Sequence, residues 1–156
     1  MTMSGSLEYM KAAIDEARLS GVDIPVGCVI VHNNEIIARC ANKREKKNDV
    51  SAHAEILALR QASDILGNWR LAGCKMFVTL EPCPMCAWAV LNSRLEEVYF
   101  GSYDLKYGAL GSKINLVNIS NFKTKVFGGI MEDECNKILK DYFLELSKLK
   151  SIRINI

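Results

Sequence analysis

Apolar positions along the chain alternate between a helical and a strand-like period. Leu7, Met10, Ile14 and Ala17 recur at three- and four-residue spacing, which predicts an amphipathic helix over residues 7–20, closed by Gly21. The run 26–31 is apolar and β-branched, Asn33-Asn34 follows, and 35–40 resumes with Ile36-Ile37, the pattern of strand, tight turn, strand. Residues 43–48 are charged without periodicity and read as a loop. Ile56, Leu57, Leu59 and Ala62 mark a second helix over 54–66, stopped near Gly67. The run 76–80 has the length of a buried strand, 86–92 reads as a helix and 98–101 as another strand. A glycine-containing loop covers 101–112, a short segment lies near 114–117, and a weak strand is predicted over 125–127. A long helix over 132–150 carries Cys135, Ile138, Leu139, Tyr142, Phe143, Leu146 and Leu149 on one face. This order predicts an α/β fold, a three-layer α/β/α sandwich with one mixed five-stranded sheet. The hairpin supplies antiparallel neighbours and right-handed crossovers supply parallel ones.

Length and composition add boundaries. The 156 residues are 49% hydrophobic and 24% charged, with no repeat or linker, so residues 1–156 read as a single globular domain. No apolar run approaches the roughly 18 residues that a membrane span needs, and no signal peptide is legible, so the expected compartment is the cytoplasm. The net charge of +2 excludes a polybasic protein; any nucleic-acid contact must come from a local patch.

The chemistry lies in the six cysteines and two histidines. Without a secretion signal, cysteine spacing points to metal or catalysis before disulfides. Cys83-Pro84-Met85-Cys86 is a C-x-x-C, by itself a redox pair, half of a metal site, or two core residues. Pro82 and Pro84 favour a helix start, which would place both cysteines on one face near an N-terminus where the dipole favours thiolates. Cys28, Cys40, Cys74 and Cys135 sit at no ligand spacing and read as core residues. Of the histidines, His32 adjoins the hairpin turn and reads as exposed. His53 begins the second helix with Glu55 two residues on. Residues i and i+2 of a helix point about 200° apart, so both can reach one metal only if it faces the helix end. The expected site is therefore two helix N-termini pointing at one zinc, His53 and Glu55 from one, Cys83 and Cys86 from the other. Three protein ligands leave a fourth position for water, the mark of a catalytic zinc. Glu55 is the residue to take that water's proton.

His53-Ala54-Glu55 followed by Pro82-Cys83-x-x-Cys86 matches the H-x-E…P-C-x-x-C signature of the zinc nucleoside and nucleobase deaminases. Much of the rest, including residues 24–27, 77–81, Phe100-Gly101 and Asp133-Glu134-Cys135, resembles the branch of that family that converts the wobble adenosine of a tRNA anticodon to inosine. The resemblance implies the cytidine-deaminase-like fold and one zinc per subunit held by His53, Cys83 and Cys86. It implies Glu55 as proton shuttle, a homodimer, and no organic cofactor. It also implies substrate-binding positions at Asn42, which would hydrogen-bond a flipped nucleoside, at Asp104, beside the neighbouring nucleotide, and at Val26 and Ala54. The chain departs from the branch's pattern at Asp49-Val50-Ser51, at Trp88 and at Asn121-Phe122. Lys43, Arg44, Lys46 and Lys47 crowd one segment that is net +3 with Glu45, and Lys106 follows Asp104. These are the candidate contacts to an anticodon stem-loop. A free-base deaminase acting on guanine or cytosine, and a non-catalytic zinc-stabilised binding module, stay open at this level. Trp69, Phe77, Tyr99 and Phe100 are expected in the core.

Overall fold

The computed structural model describes residues 3–154. Two-residue alternation of apolar side chains builds both faces of its sheet. The strands are β1 (Gly27–His32), β2 (Glu35–Ala41), β3 (Cys74–Leu80), β4 (Glu97–Ser102) and β5 (Lys125–Phe127). They lie in the order β2-β1-β3-β4-β5. β1 is antiparallel to both β2 and β3, whereas β3–β4 and β4–β5 are parallel, so the sheet is mixed as expected. On one face Cys28, Ile30, Met76, Val78, Val98 and Phe100 pack under α3 (Ala54–Leu66) and α4 (Pro84–Asn92). On the other face Val29, Val31, Phe77 and Tyr99 pack against α1 (Met3–Ala17) and Cys135 of α5 (Glu132–Ile154). Burial on both sides explains why β1 and β3 read as continuous apolar runs and not as alternating ones.

Local chemistry sets the boundaries. Asn33 and Asn34 both adopt positive φ (50° and 63°), the requirement of a two-residue hairpin turn whose twist matches the strands. Gly67 (φ 63°) ends α3 in the left-handed conformation. Ala54, Ala58 and Ala62 are fully buried at four-residue spacing, so α3 lies close on the sheet. At the outer edge of the sheet, Gln61 of α3 accepts the main-chain N–H of Arg39 at 2.7 Å. On the opposite face, Phe77 stacks on Tyr99 (4.6 Å between centroids) and Tyr99 on Phe127 (4.9 Å) across three strands, each pair contributing about 1 kcal/mol beyond area burial.

Several expectations need correction. Residues 43–48 are not an irregular loop: Arg44–Lys47 forms a single helical turn, α2, because buried Asp23 accepts the N–H groups of Glu45 and Lys46 (2.7 and 3.2 Å). The first helix ends at Ala17, before Gly21, since short-range bonds from Leu19 to Glu16 and Ser20 to Ala17 already turn the chain. The segment near 114–117 is a 3₁₀ turn, Leu116–Ile119. Trp69 is 53% exposed, its ring covered by the Arg70 guanidinium at 4.3 Å and not by the core. His32 is half-buried, with its Nδ1 3.5 Å from the Cys74 sulfur. Cys40 is only half-buried, whereas Cys28, Cys74 and Cys135 are core residues as expected. On α5 the expected apolar face is buried only in part: Cys135 is covered, but Phe143 and Leu149 are exposed. A 23-residue helix is about 35 Å long and outruns six-residue strands of about 20 Å.

Close approach of α1 to β1 depends on Gly27, where a Cβ would collide with the Ala13 carbonyl and the Ala17 amide. Backbone cannot yield as a side chain does, so Gly27→Ala is expected to cost about 3 kcal/mol. Denaturant unfolding of the two proteins, read as a shift in midpoint, checks this.

Candidate active site

The site forms where the N-termini of α3 and α4 meet at the carboxyl end of β3. His53 is the N-cap of α3 and Cys83 the N-cap of α4; both have extended backbone (ψ 151° and 173°). His53 therefore lies outside the helical screw, which removes the conflict of direction with Glu55. Pro84 at the first helical position fixes the start of α4 and leaves Cys86 one turn in. The turn before α3 is held by Asp49, whose Oδ1 accepts the amide and hydroxyl of Ser51 (2.9 and 2.8 Å). Thus Asp49-Val50-Ser51, one departure from the family pattern, still makes a bonded turn that presents His53.

His53 Nδ1 lies 3.7 Å from the Cys83 sulfur and 3.5 Å from the Cys86 sulfur. All three donor atoms lie within 4.8 Å of one another. Zinc–sulfur bonds of about 2.3 Å and zinc–nitrogen bonds of about 2.0 Å at tetrahedral angles place sulfur and nitrogen about 3.6 Å apart, so the trio fits one zinc ion. The three side chains also bond one another. Cys86 donates to the Cys83 sulfur, and His53 and the main-chain amide of Cys86 add to this, holding the Cys83 thiol down to about 4. Cys86, as the donor and buried, is pushed far up. The bond with Cys83 raises His53. A zinc ion would hold both sulfurs as thiolates, the form that binds metal.

Glu55, only 4% exposed, sits beside the trio, and burial raises its carboxyl above the usual range. It forms part of the floor of a cleft of about 530 Å³. Val26, Asn42, Ala54 and Asp104 line the same cleft, so the sequence-predicted substrate positions are brought together around Glu55, His53 and Cys83. Asn42 is already engaged: its Nδ2 donates to the Ile24 carbonyl (3.1 Å) and its Oδ1 accepts the Arg44 amide (3.3 Å). One N–H and one lone pair remain for a ligand. Asp104 Oδ1 accepts the amides of Lys106 and Tyr107 (both 3.0 Å), which turns the loop and brings Tyr107 onto the cleft wall. Of the basic candidates, Arg44 lines the cleft; Lys46, Lys47 and Lys106 are exposed outside it, and Lys43 is half-buried. The Lys106 ammonium lies 5.2 Å from the Tyr107 ring centre.

Sequence reasoning missed Asp23 and Glu81, both buried carboxylates that hold the cleft's rims. A charge at the end of the apolar run 76–80 was the available signal for Glu81; nothing local marked Asp23. The two other departures, Trp88 and Phe122, meet each other edge to face at 6.0 Å, with the Arg94 guanidinium 4.3 Å over Phe122.

Comparison with known proteins agrees with this geometry. Residues 3–102 match the cytidine and deoxycytidylate deaminase zinc-binding region. The tRNA-specific adenosine deaminase of Bacillus subtilis is 47% identical over 146 residues, covering 91% of each chain. That of Agrobacterium fabrum is 38% identical over 147 residues, covering 92% of this chain and 97% of its own. A solved structure from work on A-to-I editing by tRNA:A34 deaminases superposes with a TM-score of 0.82 at 39% identity, covering 85% of this chain and 99% of that one. With His53, Glu55, Cys83 and Cys86 gathered at one cleft, the chain belongs to the zinc-dependent cytidine and deoxycytidylate deaminase family.

Proposed function

We propose that the protein deaminates the wobble adenosine of a tRNA anticodon loop to inosine, releasing ammonia. The observation that carries this reading is a buried glutamate beside a His-Cys-Cys donor set, at the floor of a cleft large enough for a nucleobase. The names of its relatives supply the substrate class. His53, Cys83 and Cys86 would hold one zinc per chain, which, when bound, lowers the pKa of a water and acts as a Lewis acid. Glu55 accepts the proton of the attacking water and hands it to the adenine ring nitrogen as C6 becomes tetrahedral. It then takes the remaining proton from the new C6 hydroxyl and delivers it to the amine, which leaves as ammonia while the C6 carbonyl forms. Burial suits Glu55 to both tasks, because a carboxyl poised above its usual range exchanges its proton more readily near neutral pH. Val26 and Ala54 exclude water from the base, while Asn42 and Asp104 offer polar contacts to the extruded nucleoside. An anticodon loop suits such a cleft, since a loop base costs less to extrude than a paired one.

Around the mouth, Lys43, Arg44, Lys46, Lys47 and Lys106 supply cations for phosphates. Among the described residues no helix is long and apolar enough to cross a membrane, and we take the cytoplasm as the site of action. The exposed surface of Trp69, Arg94 and Trp88 supports a homodimer.

Four outcomes test these statements. Glu55→Ala should retain one zinc per chain, by elemental analysis, while single-turnover inosine formation falls about 10²- to 10⁴-fold. Stripping the metal should abolish turnover in the parent and restoring zinc should recover it; full activity of Glu55→Ala or of the stripped parent refutes the mechanism. Anticodon stem-loop affinity should fall with salt, and Lys46→Ala with Lys47→Ala should flatten the log–log slope by roughly 0.7 for each phosphate no longer neutralised. Sedimentation should give the mass of two chains, and Trp88→Ala should shift it toward one.

A further inference from the structure

Glu81 is 2% exposed and its carboxylate has four donors, every one of them from the loop 104–112. Oε1 accepts the Asp104 amide at 3.2 Å and the Ser112 hydroxyl; Oε2 accepts the amides of Leu110 and Ser112, each at 3.1 Å. These partners lie 23 to 31 residues away in sequence. The main chain repeats the attachment on both sides. Glu81 N–H donates to the Ser102 carbonyl (2.9 Å), and Ala109 N–H donates to the Pro82 carbonyl (2.9 Å). Gly108 lets the loop close over the carboxylate, since a Cβ there would collide with Glu81 Oε2 and the Asp104 carbonyl. The loop carries Asp104 and Tyr107 to the cleft, and Glu81 leads through Pro82 directly into Cys83.

We infer that Glu81 is a positioning residue: it locks the Asp104–Tyr107 wall of the cleft at a fixed distance from the metal-binding strand exit, and so sets how tightly the RNA substrate is held. The inference rests on the tRNA reading for its substrate, though not for its structural half. A carboxylate suits this task because it accepts from every direction and donates in none. Glutamine keeps the size and can keep an oxygen on the Leu110 and Ser112 amides, but its NH₂ then faces the Asp104 amide, so the loop is released at Asp104. The zinc ligands and Glu55 do not lie on that loop, so the chemical step should survive.

The test uses the zinc-loaded protein and three variants, Glu81→Gln, Ser112→Ala and Gly108→Ala. Amide hydrogen exchange by mass spectrometry reads the loop with no substrate present. Glu81→Gln should speed exchange in peptides spanning 104–112 while those from β1 and β3 stay protected. Gly108→Ala, which attacks the clamp from the loop side, should do the same, and Ser112→Ala, which removes one donor of four, should do so less. With an anticodon stem-loop carrying the target adenosine, Glu81→Gln should raise KM roughly ten-fold, with kcat within about two-fold and zinc still one per chain. Unchanged exchange in 104–112 overturns the inference whatever the RNA does. So does a fall in kcat at unchanged KM, or a loss of zinc, since either would make Glu81 a support for the metal site. Should Glu81→Gln not fold, Ser112→Ala decides alone by the same split. A parent protein that forms no inosine from the RNA would instead refute the tRNA reading, and the exchange experiment would still decide whether Glu81 locks the loop.

Discussion

Two helix N-termini aimed at one point are the constraint on which the rest of this molecule depends. His53 and Cys83 occupy N-cap positions where Ser, Thr, Asp or Asn would ordinarily accept a first-turn N–H; His53 makes no side-chain cap bond, and Cys83 offers a sulfur to the Cys86 amide in place of an oxygen. The two side chains converge on each other. The aligned peptide dipoles make the meeting point electropositive. That field favours thiolate at Cys83 and any anion formed in the cleft. The sheet serves to hold two helix ends in register. Small residues make that possible: the alanines along α3 and the Gly27 contact with α1 let helices approach the strands closely enough for the two ends to coincide.

The cleft walls answer to a second, related demand. Loops on a protein surface are ordinarily the mobile part of a fold, yet a wall that recognises a nucleotide must stay still. Both rims solve this in one way, with a buried carboxylate that accepts only from the rim it holds. Asp23 bonds the N–H groups at the start of α2 and Glu81 those of the loop after β4. A carboxylate suits both rims because each of its oxygens accepts and neither donates.

What could be read from the sequence follows the range of the interactions concerned. The hairpin was legible because Asn33-Asn34 carries its own geometry. The metal trio was legible because His53-x-Glu55 and Cys83-x-x-Cys86 are each local, although their joining is not. The one-turn helix α2 was not legible, because its stabilising carboxylate lies 22 residues away and no periodicity marks four residues. Nor was the exposure of Trp69: an indole reads as core unless one knows that Arg70 and Arg94 lie against it. Apolar spacing along α5 correctly gave a helix but overstated its burial, since periodicity records which face is apolar and not how far the sheet extends beneath it.

The bond from Arg39 to Gln61 has a consequence for how this protein keeps to itself. β2 is the outermost strand of the sheet, and such a strand presents free main-chain donors on which another chain can polymerise. Here one of those donors is already taken by a side chain from α3, which interrupts the open ladder at Arg39. At the other border β5 offers three residues, too few to template a stable partner strand. The molecule thus resists growth by strand addition at both margins, and leaves its helical faces and cleft mouth as the surfaces free for specific encounters.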